Sequence, residues 1–252
     1  TRLADLYQRA PCRVLFPDVE PDEPPQAVLL TTSGGLTGGD RLRIEIDIGA
    51  GARATVTTQA AEKLYRAADD EPDTQIDIAL RVGADAYAEW LAQETILFDR
   101  ARLRRQLVAE LEPGARLLAV ESIVFGRRAM DEDYRHGRLH DSWHIRCGGR
   151  LVWADALHLA GDIAAQRAAP YGFGDACGGA TLIYVGSDAA QQLDAVRAAL
   201  VQSAPDSGAT VIDGVLIARV LADDAVVLRH AVATLATLLR AGVAGLPRVW
   251  HC

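Results

Sequence analysis

Between Asp40 and Ile48 the chain alternates without a break. Leu42, Ile44, Ile46 and Ile48 share one parity, and Arg41, Arg43, Glu45 and Asp47 share the other. Successive side chains of a strand point to opposite faces, so this segment makes a strand with one apolar and one wet face. Gly49-Ala50-Gly51 turns the chain, and Arg53–Thr58 follows with the β-branched run Thr55, Val56, Thr57 and Thr58. The pattern then repeats. Ile76, Ile78, Leu80 and Val82 alternate with Gln75, Asp77 and Arg81, and Gly83-Ala84-Asp85 leads into Tyr87–Leu91. Leu103, Leu107 and Leu111 alternate with charged residues, and Glu112-Pro113-Gly114 leads into Ala115–Phe125. A period of two is incompatible with an amphipathic helix, whose apolar stripe recurs every 3.6 residues.

These repeats predict stacked hairpins built on glycine turns, lying as two sheets on one another or as a β-solenoid-like wrap. Leu117, Leu118, Val120, Ile123, Val124 and Phe125 are apolar on both parities, which predicts a central strand covered on both faces. Further strands are expected at Arg138–Cys147, Arg150–Leu159 and Ala180–Val185, with long loops at 65–73 and 161–179. The character changes near residue 187. Ser187 or Asp188 is placed to cap a helix over Ala189–Gln202, Val211–Leu221 reads as a strand, and Asp223-Asp224 stands at the start of a second helix, Ala225–Leu239. Gly242 and Pro247 close it. The expected fold is mainly β, with stacked antiparallel or mixed sheets of β-solenoid-like character and two helices in the C-terminal quarter. We read one domain over 1–252, β-rich over 1–186 and α+β over 187–252.

Charge and cysteine content narrow the function. The net charge of −8, from 34 acidic and 26 basic residues, argues against nucleic acid or an anionic membrane surface as partner. Cys12, Cys147, Cys177 and Cys252 are far apart, with no C-x-x-C pair, which reads as a reducing, cytoplasmic setting rather than a disulfide framework. No apolar stretch approaches a membrane span. No G-x-S-x-G or H-E-x-x-H motif and no Ser-His-Asp order is present, in keeping with a chain that has no catalytic residues.

Several residues stand out against this background. Glu121 has the parity of Leu117, Ile123 and Phe125, so its carboxylate points into the core and needs a salt-bridge partner, a local exit to solvent, or a cation. Asp155 has the parity of Leu151, Trp153 and Leu157 and raises the same question. Asp40 either caps the turn beside the glycine-rich loop or contacts a cation transiently. If Asp40, Glu121 and Asp155 line one interior path, they could pass a divalent ion, because carboxylate and water ligands bind late first-row cations weakly. His136, His140 and His144 would form one stripe on a helix, but Leu139, Asp141, Trp143 and Ile145 favour a strand, on which they lie roughly 13 Å apart and share no ion. His158 falls on the face opposite Asp155, as a structural residue. Cys177 reads as a small loop hydrophobe.

Two segments carry a resemblance: Thr32-Ser33-Gly34-Gly35-Leu36-Thr37-Gly38-Gly39-Asp40, and Thr57-Thr58-Gln59-Ala60-Ala61-Glu62-Lys63-Leu64-Tyr65-Arg66. With the closing Leu246-Pro247-Arg248-Val249-Trp250, and Gln8-Arg9-Ala10-Pro11 and Val14-Leu15-Phe16-Pro17 upstream, the chain resembles the urease accessory protein UreD (UreH) family along nearly its whole length. The resemblance implies a mainly β fold with two late helices and a non-enzymatic maturation factor. Such a factor binds apo-urease and accessory protein F, which recruits the GTPase G for nickel insertion. It implies no permanently bound cofactor, only transient Ni2+. Within the motif, Gly34, Gly35, Gly38 and Gly39 either serve close backbone packing or, with Glu62, Lys63, Tyr65 and Arg66, dock a partner. Asp40 stands where a P-loop needs lysine, so nucleotide binding is disfavoured. A reading from another class is a carbohydrate-active β enzyme using Glu121 and Asp155 as paired carboxylates; a third is a binding module without a metal role.

Overall fold

The computed structural model describes residues 1–204, 206–240 and 245–251. Its strands in chain order are β1 (Cys12–Leu15), β2 (Gln26–Thr31), β3 (Arg41–Ile48), β4 (Arg53–Thr58), β5 (Glu62–Leu64), β6 (Thr74–Val82), β7 (Tyr87–Leu91) and β8 (Thr95–Leu97). There follow β9 (Arg102–Leu111), β10 (Arg116–Phe125), β11 (His136–Cys147), β12 (Arg150–Asp162) and helix α1 (Ile163–Ala168). The rest is β13 (Gly178–Val185), α2 (Ala189–Ser203), β14 (Gly208–Ile212), β15 (Val215–Ala222) and α3 (Ala225–Leu239).

Two sheets face each other. One runs β1-β2-β4-β7-β10-β13-β15-β14, with β5 and β8 attached alongside β10; the other runs β12-β11-β9-β6-β3. The chain shuttles between them. β2, β4, β7 and β10 pair in parallel in the first sheet, and β3, β6, β9 and β11 pair in parallel in the second. Each excursion out and back is one turn of a β-solenoid of about four turns. Later strands close this body: β12 adds antiparallel to β11, and β13, β15 and β14 extend the first sheet antiparallel.

The mainly β, solenoid-like architecture matches the sequence reading, but the individual hairpins do not form. β3 pairs with β6, not with β4, and β6 pairs with β3 and β9, not with β7. Each glycine turn is an arch that carries the chain from one sheet to the other, so that the apolar parities of consecutive strands face each other across the core. The arches stack: Gly51 N–H donates to Ala84 O at 2.8 Å, Gly83 N–H to Ile48 O at 2.8 Å, and Asp85 N–H to Pro113 O at 3.2 Å. Stacking leaves no room at Gly83, where a Cβ would lie 2.7 Å from the Ala50 nitrogen.

Burial follows parity. Leu117, Ala119, Ile123 and Phe125 of β10 join Leu103, Leu107, Leu139 and Trp143 in the core between the sheets. Leu118, Val120 and Val124 join a second core under α2 and α3, with Val196, Leu228, Val232 and Leu235. β10 is thus covered on both faces, as its sequence requires.

Three local expectations need correction. The 161–179 segment is not all loop: Asp162 accepts a hydrogen bond from Ala165 N–H at 2.9 Å and starts α1, a third helix. Residues 211–221 are not one strand, because Asp213 and Gly214, both at positive φ, turn β14 back onto β15. Asp188 stands at the N-cap of α2 but makes no cap bond; its side chain is engaged by Tyr184 Oη–H at 2.6 Å and Gln192 Nε2–H at 3.1 Å. Asp224 does cap α3, accepting from the Val226 and Val227 N–H groups at 2.8 and 3.1 Å. Gly242, expected to help end α3, lies outside the described residues, as does Cys252.

Candidate functional site

The inward parity of three neighbouring strands brings charge into the core. Glu121 on β10 faces Arg105 on β9 and Asp141 on β11, and all three side chains are buried. Arg105 and Asp141 stand opposite each other in the parallel ladder. The guanidinium grips Asp141 with two bonds, Nε–H to Oδ1 at 2.9 Å and Nη2–H to Oδ2 at 2.7 Å, and donates Nη1–H to Thr95 Oγ1 at 3.0 Å. Its Nε also lies 3.0 Å from Glu121 Oε2. That N–H is aimed at Asp141, however, so Glu121 Oε2 sits beside the cation with no hydrogen bond of its own. Among the described residues, Oε1 receives only a long bond, 3.4 Å, from Trp90 Nε1–H.

One cation therefore serves two buried carboxylates. Burial first, opposed by Arg105, reinforced by Asp141 and opposed again by Trp90, leaves the Glu121 carboxyl raised to about 8. The upward shift favours the protonated form of Glu121, which leaves Arg105 and Asp141 as a balanced pair. Burial alone would lower the Arg105 pKa, but Asp141 and Glu121 hold it above its ordinary value.

Asp155 completes a mouth to this cluster. It lies on the edge strand β12 and pairs with Arg219 of β15, which also donates Nη1–H to Thr181 Oγ1 at 3.2 Å. Glu121, Asp141, Asp155, Thr181 and Arg219 line one pocket of about 80 Å³ where the two sheets meet. The structure thus brings Glu121 and Asp155 to a common space, each with an arginine beside it. That volume is far below the ~300–1,000 Å³ of ordinary small-molecule sites, so it admits water or an ion and not a sugar ring.

Asp40 is elsewhere. Its Oδ2 accepts from Thr37 N–H at 2.8 Å and its own N–H donates to Thr37 O at 3.2 Å, which caps the glycine-rich loop. That loop packs on the second motif segment: Leu36 N–H donates to Lys63 O at 2.8 Å, Tyr65 N–H to Leu36 O at 2.7 Å, and Tyr65 Oη–H to Gly34 O at 3.0 Å. At Gly35, with φ of 143°, a Cβ would lie 2.5 Å from the Tyr65 ring. Beside this contact is a more open pocket of about 250 Å³, lined by Cys12, Thr31, Gly34, Gln59, Glu62 and Lys63. The Glu62 carboxyl is raised, by burial first, with Thr31 and the Lys63 backbone opposing and the Asp40 charge adding to it. Lys63, Tyr65 and Arg66 are exposed, and Gly38 and Gly39 lead the chain from Thr37 to Asp40.

Sequence reasoning missed several members of these clusters. Arg105 shares the parity of Leu103 and Leu107, and that is a readable signal for a buried cation among leucines. Asp141 shares the parity of Leu139 and Trp143 in the same way. Arg219 likewise has the parity of Val215 and Ile217, which face the core between the sheets, and stands in register with Thr181 and Glu121; its partner Asp155, on the other sheet, is reached only through tertiary folding. Cys177 is a buried residue just before β13, and burial raises its thiol pKa. The three histidines of β11 do lie on a strand. Among the described residues, no three His, Cys, Asp or Glu converge as a metal-holding group, and no helix is long and apolar enough to cross a membrane.

Comparison with known proteins adds an independent line. The model of the UreD urease accessory protein family matches residues 1–251. The chain is similar to the urease accessory protein UreD of Magnetococcus marinus, 43% identical over 258 residues that cover 99% of this chain and 89% of that protein. It is similar to the protein of the same name from Methylobacterium sp. strain 4-46, at 43% over 100% of this chain and 89% of the relative. A third relative so named, from Rhizobium leguminosarum bv. viciae, is 41% identical over 100% of this chain and 90% of its own length.

Proposed function

The chain belongs to the UreD urease accessory protein family, which gives it a role in urease maturation, and from that premise we propose that it is a non-catalytic scaffold and metallochaperone component. It binds apo-urease together with accessory proteins F and G in the cytoplasm, and assists GTP-dependent insertion of nickel into the urease active site. The match of the family along the whole chain is the observation that carries this reading. No cofactor is resident; Ni2+ passes as cargo.

Glu121 and Asp155 are proposed as transient nickel contacts inside the protein, and their shared pocket supports that role. An ion there would displace the Glu121 proton and meet two carboxyl groups and water, a weak, fast-exchanging set, which suits transfer better than storage. Asp40 is proposed as a contact at the glycine-rich loop, apart from that pocket. For partner docking, the loop of Gly34, Gly35, Gly38 and Gly39 with Glu62, Lys63, Tyr65 and Arg66 forms one surface, and α2 and α3 form another, with Val201, Val226 and Val227 exposed.

The experiment is co-expression with the urease structural proteins and accessory proteins F and G, with and without this chain. Omission is expected to leave urease nickel-poor and inactive. Asp40→Ala, Glu121→Ala and Asp155→Ala combined are expected to lower nickel content while the complex still forms. Full nickel loading without the chain would remove the maturation role. Full loading with the triple variant would remove the interior route and leave the scaffold.

A further inference from the structure

On the outer face of the second sheet, His140 of β11 and His158 of β12 are directly opposed in the antiparallel ladder. Their ring centroids are 5.7 Å apart and the rings are inclined at 62°. We propose that His140 and His158 form a surface site for a late first-row divalent cation, such as Ni2+, Cu2+ or Zn2+, held by two imidazole nitrogens and completed by water.

The geometry points there for three reasons. Directly opposed residues on neighbouring strands have their Cβ atoms only ~4.5–5.5 Å apart, so two imidazoles can reach one point with modest rotation. Metal–nitrogen bonds of ~2.0–2.1 Å, made from the edge of each ring, call for ring centroids roughly 5–6 Å apart, and the observed separation already meets this. Imidazole is a favoured donor for these metals. The surroundings leave the position open. Ala156 and Ala160 flank His158 on its own face, and β12 is the sheet edge, so among the described residues no bulky side chain from that strand and no further strand covers the pair. On β11 the flanking Arg138 is drawn off to Asp73 at 3.1 Å, and Ser142 Oγ–H donates to Arg105 O. Arg104 of β9 stands opposite His140 on its other side; its charge opposes a bound cation and keeps the site labile.

This site is separate from the interior pocket, since even positions of β11 and β12 point away from Glu121, and it stands whether or not nickel takes the interior route. His136 and His144, four residues to either side of His140, are too distant along the strand to join it.

The test is titration of the purified full chain with nickel sulfate by calorimetry, and with Cu2+ by electron paramagnetic resonance, neither of which reads urease activation. His140→Asn and His158→Asn keep side chains of similar size and polarity on an exposed strand face, and His230→Ala on α3 serves as comparator. The expected result is one saturable Ni2+ site weakened at least tenfold by either asparagine and unchanged in the comparator. The Cu2+ spectrum should show coupling to two imidazole nitrogens, reduced to one in each asparagine variant. Equal Ni2+ affinity in the native chain and both asparagine variants would overturn the proposal, as would a Cu2+ spectrum without two coupled imidazoles.

Discussion

Arg240, the residue that ends α3, reaches through the first sheet's helical face to Glu89 in the middle of β7, at 2.9 Å, and neither side chain has any exposure to solvent. Glu89 also accepts from Thr55 Oγ1–H on β4, so one carboxylate ties the last helix to two successive solenoid strands. The Gly245 carbonyl takes a further N–H from the guanidinium. Dry packing of α3 through Leu228, Val232 and Leu235 does not by itself fix how far the helix slides along the sheet; a buried ion pair does.

Arg240→Met leaves Glu89 buried without its counter-charge, and the expected loss is ~3–5 kcal/mol. Adding Glu89→Gln to Arg240→Met should restore much of it, since the remaining groups are then neutral. Urea denaturation of the two variants and the native chain checks both statements. A cost below about 1 kcal/mol for Arg240→Met would show that the guanidinium carries little of the docking.

Glu121 makes stability depend on pH with a definite sign. Its folded-state pKa of about 8 lies above the ordinary 4.5, so between those values the folded chain binds more protons than the unfolded one. The contribution is fully present below about 4.5 and is lost as pH rises through about 8. The native chain is therefore expected to lose stability between pH 5 and pH 8.5, and Glu121→Gln, which carries no titrating proton, to lose less. Denaturation midpoints at the two pH values give the comparison; equal losses would mean that Glu121 is ionised throughout.

How much of this could be read in advance follows from the physics of each feature. Parity alone gave the inward direction of Glu121 and the double burial of β10, because both depend only on the period of a strand. The same rule applied to Arg105 would have located the partner of Glu121, since a charged residue on the parity of Leu103 and Leu107 must meet a counter-charge. Pairing was harder. The turn at Gly83-Ala84-Asp85 has the composition of a hairpin, yet an arch and a hairpin use the same residues and differ only in where the next strand finds its partner. Asp155 and Arg219 meet across 64 positions of sequence, and no local pattern announces that contact. The opposition of His140 and His158 likewise needs the β11–β12 register, which bulges at Ile145/Arg146.

Lys63 and Arg66 present two cations beside the loop that holds the glycine-rich motif, both exposed. If partner carboxylates meet them, reversing the charges sets like against like. The double change Lys63→Glu and Arg66→Glu should weaken recovery of the complex with apo-urease and accessory proteins by about tenfold or more, equivalent to ~1.4 kcal/mol. Its folding should be unchanged, because neither side chain is buried. Quantitative pull-down at low and at raised salt is the measurement, and undiminished recovery would assign docking to another surface.

Gly49 and Gly83 occupy neighbouring arches and should respond to alanine with opposite signs. At Gly83 the added Cβ would stand 2.7 Å from the Ala50 nitrogen and 3.0 Å from the Gly49 carbonyl carbon, both backbone atoms of the arch stacked against it. Backbone cannot swing aside as a side chain can, so two solenoid turns must separate locally, at a cost of ~1–3 kcal/mol. At Gly49 nothing lies within 4 Å of the added carbon, and its φ is not in the left-handed region. Gly49→Ala therefore removes only freedom of the unfolded chain, and a gain of ~0.4–1 kcal/mol is expected. Thermal unfolding of the two variants decides the matter: Gly83→Ala should melt below the native chain and Gly49→Ala at or above it. The same pair would behave alike if the two turns were independent hairpins, each free to relax into solvent, so their divergence is a direct reading of arch stacking in solution.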